Sequence, residues 1–451
     1  MKNKRSLFCC MKQCRSSKSH RQASSLFFTM LTLLWFCLPT PVHAYLDPGS
    51  GSMLLSAVIG ILATLVFSVL FAYYRVVAFV LQLFGKKMKR TGHKVVFYSE
   101  GDVYWPTFKP ILDALHDQQI EAVYLTSSET DPGLQYSSNH ISTIYIGKGN
   151  RAYSYLNTLQ ADICVMTTPG LDVLQIKRSK GVRHYAHVVH SAVDISSYKL
   201  FSFDYYDSIF CSGGHQIKSI RSLEALRQIE QKQLFEAGCP YMDELAVRLT
   251  GFQKENPVKK TDKITVVVAP TWGPNGLLTR FGESILTPLA DLGYDLIVRP
   301  HPQSYVSERP LIERLQQRYK DHPKIRWDDS PSNLEAFAVS DVLISDISGA
   351  VFDYAFIYEK PVLTIANNVD WRGYEANDLP HTVWELTVFD SIGRQIDSDD
   401  IARLPKIIAE LQADKDMKTK LRKLRQDSLY NYGTSGSVIA KQLLTISQEL
   451  V

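Results

Sequence analysis

Cysteine is scarce along most of this chain. Four of its seven cysteines fall within the first 44 residues, which leaves Cys164, Cys211 and Cys239 for the other nine-tenths of the sequence. These three are odd in number and widely spaced. The pattern argues against a disulfide framework and against a cysteine zinc site, and it predicts reduced thiols.

Acidic residues are missing from residues 1–44, which carry seven Lys or Arg. Residues 1–44 thus contribute a charge of +7, and residues 45–90 contribute +4. Because the whole chain has a net charge of +4, residues 91–451 carry −7. Binding to DNA or RNA depends largely on Lys and Arg that neutralise phosphates. The mildly acidic remainder therefore predicts no nucleic-acid partner.

The N-terminus contains two apolar segments. Residues 26–38 form a short apolar run after a basic lead, and the small residues Val42 and Ala44 suit signal-peptidase cleavage. Residues 1–44 are thus interpreted as a signal peptide, with an uncleaved first membrane helix as the alternative. Residues 53–74 form a longer apolar run that is sufficient to cross a hydrocarbon core of about 30 Å.

A basic segment follows this second apolar run. Residues 45–90 are predicted to be a transmembrane helix with a basic juxtamembrane segment, because Lys86, Lys87, Lys89 and Arg90 close it. Positive residues stay in the cytoplasm. We therefore expect a single-pass protein of the inner (cytoplasmic) membrane, with residues 91–451 in the cytoplasm.

The rest of the chain alternates short apolar runs with helical patterns, and it has no internal repeats. This alternation predicts an α/β fold with parallel sheets. A polar, proline-containing linker at 252–262 divides the pattern into two Rossmann-like domains, 91–255 and 256–451, that face a cleft. Residues 213–237 carry a charged pattern that predicts a helix. The last segment, 401–451, is mostly helical and is expected to cross back onto the first half.

Residues 339–367 predict a strand, a polar turn, a helix and a second strand. Asp346, Ser348 and Gly349 lie at the helix entrance, where free backbone N–H groups and the helix dipole favour an anion. Ligands of open α/β sheets bind outside the carboxyl ends of the strands. The segment predicts a nucleotide or pyrophosphate site, although a simple capped turn has the same pattern.

Two further strand ends carry polar groups. The first, 269–276, contains Thr271 and is rich in glycine and small residues, so it admits a phosphate or is a plain turn. The second carries Arg299 and His301, each followed by proline, which restricts the backbone and favours a functional role. Arg372 lies in a loop after a third strand and is either a surface residue or near the cleft.

Three histidines, His184, His187 and His190, lie within seven residues. On a strand they cannot converge on one metal ion, because His184 and His190 are about 20 Å apart at ~3.3 Å per residue and His187 faces the other way. We predict no metal site and no cofactor. His190, at the strand end, is a candidate general base, and the other two are interpreted as structural.

Together these motifs carry a family resemblance. The residues Arg299-Pro-His301-Pro302, Ser340 to Ser348, Val351 to Tyr354 and Lys360-Pro361 are ordered as in the CDP-glycerol glycerophosphotransferase family of teichoic acid primases and polymerases. The resemblance spans roughly residues 180–380, and it implies a GT-B-like fold. It also implies transfer of an alditol phosphate from a CDP-alditol to a lipid-linked or surface-glycan acceptor at the membrane.

The resemblance implies roles for individual residues. His190 would be the base on the acceptor hydroxyl, and His301 would stabilise the pyrophosphate. The candidate donor-binding and phosphate-binding residues are Thr271, Arg299, Asp346, Ser348, Gly349, Asp353 and Arg372. The chain departs from the family pattern at Gly349, where the family usually has serine, and at Ser191, where it has glycine.

Three hypotheses follow from the sequence. The leading one is a membrane-anchored transferase that uses CDP-glycerol. The second is a UDP-sugar 2-epimerase or a glycosyltransferase with the same architecture. The third is a non-catalytic relative that binds a nucleotide.

Overall fold

The computed structural model describes residues 93–257, 263–366 and 369–450, together with residues 61 and 64. Apart from these two single residues, the predicted signal segment (1–44) and the predicted membrane segment (45–90) lie outside the described residues. Within the described ranges, no helix combines the length and apolar composition needed to cross a bilayer.

The first half, residues 93–257, contains a parallel sheet of seven strands in the order β3-β2-β1-β4-β5-β6-β7. Its inner strands are apolar and buried on both faces, as parallel strands between helices must be. The strands are β1 (His93–Ser99), β2 (Ala122–Thr126), β3 (Ile141–Tyr145), β4 (Ala161–Met166), β5 (Val182–Val188), β6 (Ser208–Cys211) and β7 (Gln233–Glu236).

The second half, residues 263–450, contains a parallel sheet of six strands in the order β10-β9-β8-β11-β12-β13. This is the Rossmann order, with the reversal between β8 and β11. The strands are β8 (Thr265–Val268), β9 (Asp295–Val298), β10 (Ile325–Trp327), β11 (Val342–Ser345), β12 (Val362–Ile365) and β13 (Gly393–Ile396). The two sheets belong to one compact unit, and the α/β prediction is confirmed.

Helices connect the strands and cover the sheets. In the first half they are α1 (Trp105–Asp117), α2 (Asn150–Leu156), α3 (Gly214–Arg227) and α4 (Pro240–Glu255). In the second half they are α5 (Leu277–Asp291), α6 (Ser304–Ser307), α7 (Arg309–Arg318), α8 (Leu334–Val339), α9 (Ala350–Ile357), α10 (Trp384–Val388), α11 (Leu404–Ala413), α12 (Met417–Ser428) and α13 (Ser435–Glu449).

Two sheet-edge strands differ from the sequence prediction. The helical pattern expected over 213–237 ends at Arg227, and β7 follows it. Strand β13 was not predicted at all. Both are short strands at a sheet edge with few buried side chains, so they lack the apolar run that identifies an inner strand.

The C-terminal helix returns to the first half, as expected from the sequence. Ile439 and Leu443 of α13 share a buried cluster with Phe108 and Leu112 of α1. The two helices approach closely at Gly436, where an added Cβ would lie 2.4 Å from the Pro110 carbonyl oxygen. The first half is therefore completed by the last helix of the second.

Polar contacts join the two halves beside the cleft. Arg227 forms ion pairs with Asp204 of its own half and with Glu375 and Asp378 of the other. The backbone N–H of Asp194 donates to Glu385 Oε1 at 2.9 Å. These groups are largely buried, so the contacts fix one half against the other.

Candidate active site

The second sheet reverses its strand order between β8 and β11, and the loops after these two strands are tied together. Asp346 accepts a hydrogen bond from the Thr271 N–H at 2.8 Å and another from the Leu277 N–H at 3.0 Å. Burial raises the pKa of Asp346 to about 6, although these hydrogen bonds oppose the shift. Asp346 therefore shapes the loop after β8, and Thr271 contributes its backbone to the same contact.

The entrance of α9 lies against the turn that follows β5. Ser348 Oγ accepts from the N–H of Ala350, the first residue of the helix, at 3.3 Å. Ser191 Oγ lies 3.6 Å from the position that a Cβ on Gly349 would occupy. The structure thus brings the His190–Ser191 turn of one half to the Ser348–Gly349 turn of the other.

His190 is half-buried between two tyrosines. Its ring centroid lies 5.2 Å from that of Tyr104 and 6.2 Å from that of Tyr198, and both contacts are edge-on. The Tyr198 hydroxyl lies 3.5 Å from His190 Nδ1. Burial lowers the pKa of His190 to about 4, so its imidazole is neutral at pH 7 and able to accept a proton.

His301 is exposed in the loop after β9. Its Nδ1 accepts a hydrogen bond from the Gln303 N–H at 3.1 Å, so in the neutral ring the proton resides on Nε2. Partial desolvation of the ring lowers the pKa of His301, and Glu308 opposes the shift. Trp272 lies beside it, with ring centroids 6.4 Å apart. The residue thus offers an N–H donor to a ligand in the cleft.

A cavity of about 470 Å³ lies in the cleft between the two halves. His301, Arg299 and Ser348 line it from the second half, and Asp102 and Thr130 line it from the first. The cavity therefore collects three of the predicted residues, at the carboxyl ends of strands from both sheets.

Arg299 is held within its own half. Its guanidinium donates to Asp328 at 2.6 Å and to the Ser330 carbonyl at 2.9 Å. The ion pair is mostly buried. A ligand in the cleft would meet the edge of a guanidinium whose position is already fixed.

Six of the nine predicted site residues are not among the residues that line this cavity; they are His190, Thr271, Asp346, Gly349, Asp353 and Arg372. Asp353 is buried in α9 and accepts from the Tyr241 hydroxyl at 2.9 Å, and burial raises the pKa of Asp353 to about 7. Arg372 is 86% exposed and pairs with Asp370 in its own loop. Direct contact of either residue with a donor stays a prediction.

His184 and His187, which lie in β5, contact other residues of the first half. His184 Nε2 lies 2.8 Å from the Ser208 hydroxyl, across to the neighbouring strand. His187 is fully buried against the rings of Phe203 and Tyr206, with centroids 5.0 Å away in each case. These contacts agree with structural roles for both.

Sequence reasoning missed the tyrosines of this site. Tyr104 lies in a turn just after β1, and Tyr198 lies eight residues beyond His190. Tyr241, which lines the cleft, is the second residue of α4. An aromatic residue just after a strand was the available signal for Tyr104, but neither of the other two has a local pattern that separates it from a core residue.

Comparison with known proteins places the chain in a family. The family model for CDP-glycerol:poly(glycerophosphate) glycerophosphotransferases matches residues 93–440. No curated protein matches the sequence significantly.

Solved structures share the fold. A variant of the wall teichoic acid polymerase TagF has a TM-score of 0.54 and 15% identity, over 82% of this chain and 92% of that one. A second TagF structure has a TM-score of 0.51 and 17% identity, over 79% of this chain and 89% of that one. The UDP-GlcNAc 2-epimerase of Methanocaldococcus jannaschii, in complex with UDP-GlcNAc and UDP, has a TM-score of 0.51 and 15% identity, over 79% of this chain and 100% of that one.

These likenesses indicate a GT-B-like fold, which the polymerase and the epimerase share. The family model is more specific, because it covers most of the chain and includes the strand-end motifs that line the cleft. The chain belongs to the CDP-glycerol:poly(glycerophosphate) glycerophosphotransferase family and is a phosphotransferase of the CDP-glycerol glycerophosphotransferase kind.

Proposed function

We propose that this enzyme transfers glycerol phosphate from CDP-glycerol to the hydroxyl end of a lipid-linked or surface-glycan acceptor. The observation that carries the proposal is the contact between Ser191, the residue that follows His190, and the Ser348–Gly349 turn of the other half. The candidate base of one half is thus adjacent in sequence to a residue that contacts a helix entrance of the other half, which suits a proton-accepting group near a bound phosphate. Residues 91–255 would hold the acceptor and residues 256–451 the nucleotide donor.

The base in this reaction is His190. If Nδ1–H donates to the Tyr198 oxygen, the Nε2 lone pair is left for the acceptor hydroxyl. The hydroxyl oxygen attacks the distal phosphorus of the donor, the bond to the CMP oxygen breaks, and CMP leaves. Nε2 takes the hydroxyl proton, which a neutral imidazole can do.

The negative charge on the pyrophosphate is met by fixed donors. His301 offers Nε2–H, and the Ser348 hydroxyl, whose oxygen accepts from the Ala350 N–H, keeps its own proton to donate at the entrance of α9. Asp346 holds the loop after β8 in position, and Asp353 orients Tyr241 at the cleft wall. The proposal needs no metal ion and no cofactor for the proton transfer itself.

We also propose that the chain acts at the inner membrane. The basis is the apolar run at 53–74 with its basic flank, together with the lipid-linked acceptor that we propose. Tethering raises the concentration of the enzyme near such an acceptor. The catalytic residues would then lie on the cytoplasmic side.

The test is nucleotide release. The full chain in detergent, with a native lipid extract, is incubated with CDP-glycerol, CDP-ribitol and UDP-GlcNAc in separate reactions. We expect CMP release from CDP-glycerol and incorporation of glycerol phosphate into the lipid fraction. Turnover or isomerisation of UDP-GlcNAc alone would reject the donor assignment.

Histidine variants test the mechanism in the same assay. Removing a general base costs about 10²- to 10⁴-fold in rate, which is the loss expected for His190→Ala. Removing one donor to a developing charge costs about 10²- to 10³-fold, as expected for His301→Ala. His322→Ala is the matched control, because His322 makes the same kind of backbone contact in its loop but does not line the cleft cavity. Near-normal turnover of a folded His190→Ala enzyme would reject the role of the base.

A further inference from the structure

A second cavity, of about 360 Å³, lies in the first half. It is formed by the segments that follow β1, β2 and β3, at the carboxyl ends of these strands. Its lining includes Glu100, Ser127, Ser128, Lys148 and Tyr153. The reaction described above uses none of these groups.

The lining combines one cation, one carboxylate and several hydroxyls. Lys148 is exposed and forms no ion pair among the residues that the structure describes, so its ammonium group is available to an anion. The Tyr98 and Ser127 hydroxyls lie 3.0 Å apart at the back of the cavity. An ammonium group binds phosphate, whereas a carboxylate and hydroxyls bind the hydroxyls of a polyol. The set therefore suits a polyol phosphate.

The second cavity and the cleft share a rim. Ser128 lines the second cavity, and its hydroxyl lies 3.0 Å from that of Thr130. Thr130 in turn donates to Asp102 at 3.2 Å, and both of these residues line the cleft. A molecule in the cleft can thus extend over this hydrogen-bonded rim into the second cavity without crossing either sheet.

The rim also leads to the catalytic base. Tyr104 lies two residues after Asp102 and packs edge-on against His190. A chain whose terminal hydroxyl faces His190 would pass Tyr104 and Asp102 before it reaches Lys148. Along this path the last unit of a polymer would react at His190 while an earlier unit is bound near Lys148.

We infer that the second cavity is an acceptor subsite that binds an earlier polyol-phosphate unit of the acceptor, with Lys148 on its phosphate. The inference rests on the proposed function, because it places the acceptor in the first half. It adds that the enzyme distinguishes acceptors by length. An acceptor of one unit reaches only the cleft, whereas an acceptor of two or three units also reaches Lys148.

Synthetic glycerol phosphate oligomers of one, two and three units test this inference. With saturating CDP-glycerol, Lys148→Gln is expected to raise the KM for the longer oligomers about 10-fold, the equivalent of one lost charge-assisted contact. The KM for the one-unit acceptor, the KM for CDP-glycerol and kcat should not change. Lys180→Gln is the matched control, since Lys180 is also exposed but precedes β5 and lies outside both cavities. Equal effects of Lys148→Gln on all lengths, or no effect, would overturn the subsite.

Failure of the proposed function gives a different result. If wild-type enzyme releases no CMP with any acceptor, the donor assignment is wrong, and the subsite is then judged by calorimetric binding of the three-unit oligomer without donor. Binding that Lys148→Gln weakens at least several-fold, and Lys180→Gln does not, supports the subsite. Equal binding to all three proteins, or no binding to any of them, overturns it.

Discussion

Ser191 and Gly349 lie opposite each other where the two halves meet beside His190. The Ser191 hydroxyl oxygen lies 3.6 Å from the position of a Cβ on Gly349, which is an ordinary van der Waals contact. In the family pattern described above the positions are reversed, with glycine after the motif histidine and serine at the α9 entrance. The two positions at which the chain departs from the family pattern are far apart in sequence, but they are neighbours in the structure. The serine at one position therefore compensates for the glycine at the other.

This pairing predicts compensation between two substitutions. Ser191→Gly removes the hydroxyl and is expected to lower kcat/KM for CDP-glycerol by about 10-fold. This is the size of one hydrogen bond from the hydroxyl to a donor phosphate. Gly349→Ser alone places a second hydroxyl against Ser191 and should also reduce kcat/KM. The double variant restores a single hydroxyl between the backbones, so its CMP release should return to within a few-fold of wild type. Losses that simply add in the double variant would contradict the pairing.

Among the elements, the loop after β8 depends on one buried carboxylate. Asp346 accepts hydrogen bonds from two backbone N–H groups of this segment. Among the described residues, no other single residue joins the ends of β8 and β11 in this way. An amide at this position has one oxygen and one NH₂ group. The NH₂ group would face a backbone N–H and leave it without an acceptor.

We therefore expect Asp346→Asn to act mainly on donor binding. Leaving one buried N–H unsatisfied costs about 1–3 kcal/mol, and the loop would relax to avoid this cost. The KM for CDP-glycerol should rise, with a smaller effect on the KM for the acceptor. Steady-state kinetics with each substrate varied in turn will measure the two effects. A larger effect on the acceptor would show that the loop does not hold the donor.

Alanine is expected to have opposite effects on stability at two helical glycines, Gly436 at the contact between α1 and α13 and Gly251 in α4. Alanine normally stabilises a helix by about 0.5–1 kcal/mol relative to glycine. At Gly436 the added Cβ would lie 2.4 Å from the Pro110 carbonyl oxygen, so overpacking of about 1–3 kcal/mol outweighs that gain. At Gly251, in α4, nothing lies within 4 Å of the added Cβ.

Gly436→Ala should therefore lower the free energy of unfolding, and Gly251→Ala should raise it slightly. Denaturant titrations of the two variants and the wild type, all as the full chain in detergent, will compare them. If both variants were stabilised, α13 would not pack against α1 at the observed distance.

At the scale of the whole molecule, the interface between the halves contains a pair of buried carboxyl groups. Burial raises the pKa of Asp194 to about 6 and that of Glu385 to about 7, and Asp194 adds to the shift at Glu385. In the unfolded chain these groups titrate near pH 4. Between pH 4 and pH 7 the folded state therefore holds more protons than the unfolded state, so stability falls as the pH rises.

Glu385→Gln should remove part of this pH dependence. A neutral amide keeps an oxygen for the Asp194 N–H and carries no charge to bury. Between pH 5 and pH 8, the free energy of unfolding should decrease more in the wild type than in Glu385→Gln. The expected difference between the two decreases is about 2 kcal/mol. Denaturant titrations at pH 5, 6.5 and 8 measure the difference, with the exposed Glu335→Gln as a control. Parallel pH profiles for Glu385→Gln and wild type would contradict the prediction.

Apolar runs in the sequence predicted the inner strands, because a β-branched run such as Val266 to Val268 favours a buried strand. They did not predict β7 or β13, which lie at the sheet edges and have few fully buried side chains. Strand ends likewise indicated His301 and the α9 entrance as site residues. The partners of Asp346 and Asp353 were not predictable, because Leu277 and Tyr241 reach them only through the packing of distant segments.

The return of α13 to the first half has a consequence for protein synthesis. The segment that forms α1 is synthesised before the strands of the second sheet, but the residues that cover Phe108 and Leu112 are synthesised after them. Until Ser435–Glu449 emerges, this apolar surface is open to water, chaperones and other nascent chains. Translation that stops before Ser435 would therefore damage the half that was synthesised first, although every residue of that half is present.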